Sequence, residues 1–358
     1  MAKKIAFFNH KGGVGKTTNA YHLGWSLAEK GKTVLFVDLD SQCNLTQIAL
    51  GIDEFEKHYE TNPKQNIKAL LSYAFESRTM VLEAAECVQV KDNEKLWLMP
   101  GSFEITQYEV QLGISFQLYN SFSTMKHLPG SFHYLIEKTA EKYKADYVII
   151  DLNPNLSAIN QNMVTGSDYF ISPVSPDYYS LMAVRSLSKI IPQWEKWAKE
   201  ARTEFAKETY TFPLTVPTFL GYIVSDFSIT KDKESATGEK KATAQFQKNM
   251  DELEKEFDNK LLPELKKIGY YNADDSANLA KISNFQSLGA LHQQDGLPVF
   301  GVDLKKKRQG SRTNYNTPQI QDIQKRFAKI YSDLADKILK LTEHERLNSS
   351  IPQEHTSC

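Results

Sequence analysis

The chain has 358 residues, and its 43 Lys and Arg stand against 44 Asp and Glu, a net charge of −1. That balance excludes a wholesale polycation, so any nucleic-acid contact has to come from a local patch. Hydrophobic residues at 41% and charged residues at 24% are ordinary globular composition, and a chain this long buries a core without disulfides or metals.

The start, Met1-Ala2-Lys3-Lys4, lacks a signal-peptide apolar region. Ile5 to Phe8 is a short apolar run, expected as a buried strand. It leads into Asn9-His10-Lys11-Gly12-Gly13-Val14-Gly15-Lys16-Thr17-Thr18. Ala20, Leu23, Gly24, Leu27 and Ala28 then recur at helical spacing, and Gly31 is a stop. Thr33 to Val37 is a second buried strand ending at Asp38. Strand, glycine loop, helix, strand is a βαβ unit and implies a parallel sheet. Further strands are expected at Leu96–Met99, Tyr147–Ile150, Tyr169–Val174, Leu220–Val224 and Val299–Val302. Residues 51–80 read as an irregular helical excursion. Val184, Leu187, Ile191, Trp194, Ala198 and Ala201 share one face of a long helix, as do Phe246, Met250, Leu253, Phe257 and Leu261. The balanced charges of 228–267 read as a solvated helix face. Ile320, Ile323, Phe327, Ile330, Leu334, Ile338 and Leu341 mark a final amphipathic helix, and the polar residues 344–358 are expected to fray. Cys43, Cys87 and Cys358 are scattered with no CxxC, which fits a reducing cytoplasm. No apolar run nears the length of about 18 residues needed to span a membrane.

The glycine loop carries the chemistry. Glycine admits positive φ and close approach of a ligand, and successive N–H groups then point inward as an anion nest. The following helix adds its positive N-terminus. Lys16 can reach β- and γ-phosphates, and the Thr17 hydroxyl can ligate Mg²⁺. The strict G-x-x-x-x-G-K-[ST] pattern fails, because His10 stands at its first glycine and Lys11 sits at the loop entrance.

Lys11 to Thr18 resembles the deviant Walker A loop of the ParA/MinD family of ATPases, closest to ParA. Val34 to Gln42 resembles that family's V-D-x-D-P-Q segment, with Ser41 in place of proline, and Asn44-Leu45-Thr46 continues it. Leu98 to Ser102 resembles a family strand end, Asp146 to Asp151 its Walker B, and Pro173 to Tyr178 its P-V-x-P-E-Y. Ile282-Ser283 through Gly296-Leu297-Pro298-Val299 resembles the late I-P…G-x-P-V. The resemblance implies an α/β fold: a three-layer P-loop NTPase with a mostly parallel, doubly wound sheet. One domain over 1–343 would carry helical insertions near 51–80, 195–215 and 228–267. These either decorate the surface or dock a partner.

The resemblance also implies roles. Gly12, Gly13, Val14, Gly15, Lys16, Thr17 and Thr18 would bind ATP, with Thr17, Asp38 and Asp151 around Mg²⁺. Lys16 would neutralise phosphate oxygens, Asp40 would orient the attacking water, and Lys11 would cross an ATP-state homodimer to the partner's nucleotide. A loop-turn acidic pair competes for Asp38 and Asp40, and a helix-capping carboxylate for Asp151. After Asp151 the family's C-P-P-S-L is replaced by Leu152-Asn153-Pro154-Asn155-Leu156, which excludes a cluster-ligating cysteine at 152. Pro173 to Tyr178 is a candidate for lining the base. Trp194, Trp197, Tyr178 and Tyr179 read as core aromatics rather than base-stacking platforms.

The expected function is slow Mg²⁺-dependent ATP hydrolysis coupled to dimerisation, in plasmid or chromosome partitioning with a ParB-like or other operon-encoded partner. A nucleotide-gated interaction module and a MinD-like positioning ATPase are the alternatives. Lys305, Lys306, Lys307 and Arg308, with Arg312, form the one dense basic run, open to non-specific DNA or to a solvated-loop reading. The motif starts at residue 5, so no helix-turn-helix is expected before it, nor sequence-specific DNA reading. The last helix mixes Lys325, Arg326, Lys329, Lys337 and Lys340 with Asp322, Asp333 and Asp336, and is expected to pack on the sheet rather than on a membrane.

Overall fold

β1 (Lys3–Phe7) sends Ile5 and Phe7 to one side of a sheet and Ala6 to the other, and both sides are fully buried. Such two-sided burial is what a parallel sheet clad in helices requires. The computed structural model describes residues 1–76, 81–118, 125–231, 240–273, 276–306 and 314–343.

The chain continues through α1 (Lys16–Glu29), β2 (Val34–Leu39), α2 (Asn44–Leu50), α3 (Ile52–Thr61), α4 (Ile67–Phe75), β3 (Val88–Gln89), β4 (Leu96–Met99), α5 (Gln107–Leu118) and α6 (Leu128–Lys142). It goes on through β5 (Tyr147–Leu152), α7 (Ala158–Gly166), β6 (Tyr169–Val174), α8 (Tyr178–Glu204) and β7 (Thr218–Phe227). A small hairpin of β8 (Ile229–Lys231) and β9 (Lys240–Ala242) precedes α9 (Ala244–Glu256). A π-helical turn, Phe257–Leu261, joins α9 to α10 (Leu262–Lys267). β10 (Asn278–Ser283), α11 (Ser287–Asp295) and α12 (Pro318–Glu343) complete the described fold.

Eight strands form the main sheet in the order β10-β7-β6-β1-β5-β2-β4-β3. Every neighbouring pair is parallel except β3 with β4. Helices cover both faces, giving three layers. α1, α2, α11 and α12 bury Ala20, Leu23, Leu45, Leu288, Leu291, Tyr331 and Leu334 on the face of Ile5, Phe7 and Phe36. α4 to α10 bury their apolar sides on the face of Ala6, Leu35 and Val37. α1 lies hard against the sheet at Gly24, where a Cβ would come 2.2 Å from Phe36 Cζ. α12 buries Phe327, Tyr331, Leu334 and Ile338, so its apolar stripe is spent on this core.

Parallel neighbours need crossover helices. α8 is the crossover from β6 to β7, and residues 195–215 are its second half and the loop after it. Residues 228–267 hold the hairpin and the crossover α9–α10 from β7 to β10. The run Val299–Val302 is not a strand. It is a turn, closed by Gly301 N–H on the Pro298 carbonyl at 2.8 Å, and Val299 N–H donates to His22 Nε2 at 3.0 Å. Its two valines plug the α1–α12 side of the core, which periodicity in four residues does not distinguish from a strand. The edge position belongs to β10, whose polar Asn278, Lys281 and Ser283 hide it from an apolar-run reading. Residues 344–358 lie outside the described residues.

Candidate nucleotide site

β1 ends where the strand order reverses, between β5 and β6, the place where open α/β sheets bind ligands. The loop after it is pinned from below. Asn9 Nδ2 donates to the Pro173 carbonyl at 2.8 Å, and Asn9 Oδ1 accepts the Lys11 N–H at 2.9 Å. Gly13 and Gly15 have φ of 72° and 80°, the left-handed region that Val or Ala resists. Gly15 is the N-cap of α1 and supplies no side-chain cap, so the first N–H groups of the helix face the loop's cavity.

Lys16 is buried, with its ammonium 3.5 Å from the Lys11 carbonyl. Burial lowers its pKa, while Asp151 and Asp40 pull it back up. Thr17 Oγ1 donates to Asp151 Oδ2 at 2.6 Å. The other oxygen, Asp151 Oδ1, is buried without a hydrogen-bond partner. Burial, then the nearby Asp38 charge, push the Asp151 carboxyl up to about 8 against the opposing Thr17 bond. Thr17, Lys16 and Asp151 are thus brought together. Asp40 lines the same cleft, with Oδ1 accepting the Gln42 N–H at 3.0 Å.

Asp38 differs. The family resemblance implies a place for it in the metal shell, while in the structure its oxygens accept other hydrogen bonds. Oδ2 accepts Thr46 N–H at 2.8 Å and Thr46 Oγ1 at 2.7 Å, and Oδ1 accepts Asp40 N–H at 3.2 Å. Cys43 begins α2 in the left-handed region with no side-chain cap, so Asp38 caps that helix from the sheet. Burial lifts it to about 7. Asp38 faces Asp151 across β2 and β5 in direct register, yet it does not line the cleft.

Lys11 is held within its own chain. Its ammonium pairs with the Asp177 carboxylate and donates to Ser180 Oγ at 3.1 Å.

The cleft has a volume of 540 Å³, large enough for a nucleotide. Gly12, Gly13, Thr17 and Thr18 line one end, and Ser225, Asp226, Ser283, Asn284 and Phe285 the other. Pro173 to Tyr178 is not part of its lining, because that segment is folded under the loop by Asn9 and Lys11. Sequence reading missed Asn19. It joins the two ends: Nδ2 donates to Gly15 O and Ser225 Oγ, both at 2.8 Å, and Oδ1 accepts Tyr331 OH at 3.0 Å. Trp194 packs on Phe8 and Trp197 on Phe116, as core aromatics do. Tyr178 and Tyr179 are exposed instead, at 65% and 73%, because they open α8 on its solvent side. Lys306 pairs with Asp295 at 2.9 Å, while Lys307, Arg308 and Arg312 lie outside the described residues. Among the described residues no helix is long and apolar enough to cross a membrane, and no three His, Cys, Asp or Glu converge to cage a metal.

Residues 2–204, more than half of the chain, match the family model described as AAA domain. The sporulation initiation inhibitor protein Soj of Bacillus subtilis is 32% identical over 187 residues, 52% of this chain and 64% of Soj. A ParA family protein of Chlamydia pneumoniae is 29% identical over 194 residues, 53% of this chain and 65% of the relative. An uncharacterised Methanocaldococcus jannaschii protein is 34% identical over 181 residues, 51% of this chain and 62% of its own length. The chain therefore spans less than two thirds of these relatives. Among solved structures, the pNOB8 ParA bound to nonspecific DNA superposes with a TM-score of 0.54 at 20% identity, covering 96% of this chain and 99% of that one. Apo McdA of Cyanothece gives 0.59 at 18% identity, covering 94% and 100%. These likenesses establish a shared fold. The chain belongs to the AAA domain family and is a homologue of the Soj and ParA proteins.

Proposed function

We propose that the chain is a Mg²⁺-dependent ATPase whose ATP-driven homodimerisation acts as a molecular switch in plasmid or chromosome partitioning. The observation that carries this reading is the trio Lys16, Thr17 and Asp151 at a glycine nest. The nest offers N–H groups to an anion, and a buried Asp151 oxygen lacks a partner beside a hydroxyl that can ligate a cation. Those residues fit ATP with Mg²⁺, which when bound would supply the transferable phosphoryl group and the positive charge that stabilises its transfer. Lys16 holds the phosphate oxygens, Thr17 with Asp151 holds the metal side, and Asp40 orients water from the rim. Asp38 positions the Asp40 turn. Ser225, Asp226 and Ser283 to Phe285 take the base, and Lys11 serves the partner's nucleotide across the dimer.

The test is calorimetry of the full chain with ATP and Mg²⁺, together with phosphate release. Binding heat and slow turnover are expected in the parent and lost in Lys16→Ala. Equal turnover in both would defeat the assignment. The name of the pNOB8 neighbour motivates a DNA arm: salt-sensitive, sequence-independent retention of duplex DNA with ATP, through the segment from Lys305 to Arg312. A mobility assay at two salt concentrations reads it, and no retention at low salt ends it.

A further inference from the structure

Lys11 is gripped by the turn between β6 and α8. Asp177 is the N-cap of α8, and it divides its two oxygens. Oδ1 accepts the Ser180 N–H at 2.9 Å, and Oδ2 pairs with the Lys11 ammonium. Ser180 Oγ, the ammonium's second contact, is itself fixed by the Ser175 N–H at 3.1 Å. The turn is held on its far side too, where Asn249 of α9 donates to the Pro176 carbonyl at 2.7 Å. So the acceptor pair for Lys11 is built into a rigid helix start. Asp177 would cap α8 equally well without Lys11, because one oxygen suffices for a cap. Its second oxygen does one further thing, which is to hold this cation.

Turned toward Asp177 and Ser180, the ammonium spends two of its three N–H donors in its own chain, and the Asp177 carboxylate beside it would repel a phosphate brought to the third. The two contacts therefore compete. We propose that Asp177 is a positioning residue that latches Lys11 in the single chain, so that dimerisation on ATP must first release it. This rests on the reading above that Lys11 acts across the dimer. The pair is partly exposed, with side chains 20% and 41% accessible, so it is a weak latch that opens at a cost of a few-fold in the equilibrium constant. A symmetric dimer opens two latches, and the costs multiply to roughly tenfold.

Two readouts on the full chain separate the latch from the dimer reading. The first needs no nucleotide. An amine-reactive acetylating reagent, with the modified site located by mass spectrometry, should label Lys11 a few-fold faster in Asp177→Asn, which keeps the helix cap, and at the parental rate in Asp177→Glu. Equal labelling of Lys11 in parent and Asp177→Asn overturns the latch, whether or not the chain dimerises. The second is sedimentation equilibrium with Mg²⁺ and a non-hydrolysable ATP analogue. The dimer dissociation constant should fall about tenfold in Asp177→Asn, while Lys11→Ala stays monomeric. Faster labelling with an unchanged or weaker dimer overturns the gate, since Asp177 would then serve the dimer itself. If neither parent nor Asp177→Asn dimerises with the analogue, the trans reading of Lys11 fails and the gate falls with it.

Discussion

The two ends of the cleft are built in opposite ways. The end assigned above to phosphate comes from one continuous segment, Gly12 to Thr18, with Asp40 beside it in the cleft lining. The other end, assigned above to the base, is assembled from Ser225 and Asp226 at the close of β7, Ser283 to Phe285 at the close of β10, and Tyr331 on α12. Burial also shifts the titratable groups in opposite directions, each toward its neutral form. At the phosphate end buried carboxyls sit high, Asp38 near 7 and Asp151 near 8. Under the base end buried histidines sit low: His292 is pushed to about 4, and His22 also falls well below its ordinary value. A local anion nest concentrates catalysis in few residues, whereas a composite pocket spreads affinity over many. Substitutions should reveal that difference.

The largest effect is expected at the phosphate end. Asp151→Asn leaves the β5 backbone and volume intact but removes the carboxyl group that would ionise beside Thr17 to hold the metal side. Turnover at saturating ATP should fall on the order of 10²–10³-fold, the range for losing one preorganised electrostatic group. Steady-state phosphate release checks it. A loss confined to KM would mean that the carboxylate serves binding and not chemistry. At the base end the split should reverse. Phe285 packs edge-on to Phe327 at 4.8 Å and lines the cleft. Phe285→Ala should raise KM about tenfold and leave kcat within about threefold, as expected for uniform binding lost with an aromatic contact.

Legibility follows the same division. The loop, β1, α1 and the strand ends at Asp38 and Asp151 were readable because a contiguous motif fixes them. The base end was not, since nothing in sequence spacing announces that Ser225, Asn284 and Tyr331 meet. Asn19 passes for an ordinary polar helix position until Gly15, Ser225 and Tyr331 are seen around it. Thr46 gives no sign that it will occupy Asp38. Val299 to Val302 misled because a buried turn and a buried strand share an apolar run. Tyr178 and Tyr179 misled because the first turn of α8 faces solvent before its periodic face engages the core.

The opposite pKa shifts at the two ends, both toward the neutral form, give a pH test of stability in nucleotide-free protein. Asp38 and Asp151 keep their protons in the fold at pH values where the unfolded chain has lost them. Their contribution is complete below the ordinary value of 3.8 and is lost as pH rises to about 7 and about 8. His292 contributes in the other sense. Its share is present above 6.5 and lost as pH falls toward about 4. Between about pH 7.5 and 8.5, a unit or more above the ordinary histidine value of 6.5, the buried His22, His133 and His292 therefore add little slope. Urea midpoints in that window should drop with rising pH, by up to about 1.4 kcal/mol per pH unit for each carboxyl still titrating. Asp38→Asn should shallow the slope. A stability that rises across the window would contradict the buried-carboxyl picture.

The smallest effect tests whether the two ends are coupled at all. Tyr331 is wholly buried, and its hydroxyl donates to Asn19, which in turn holds Gly15 and Ser225. Tyr331→Phe removes one oxygen and leaves Asn19 Oδ1 short of a donor, a cost of about 1 kcal/mol read from urea midpoints. If Asn19 transmits strain between the ends, the variant should weaken ATP affinity by a further few-fold, although position 331 is on the last helix and far in sequence from the phosphate loop. If it is only a buried strut, stability drops and affinity does not. The ratio of the two losses measures how far the composite end steadies the contiguous one.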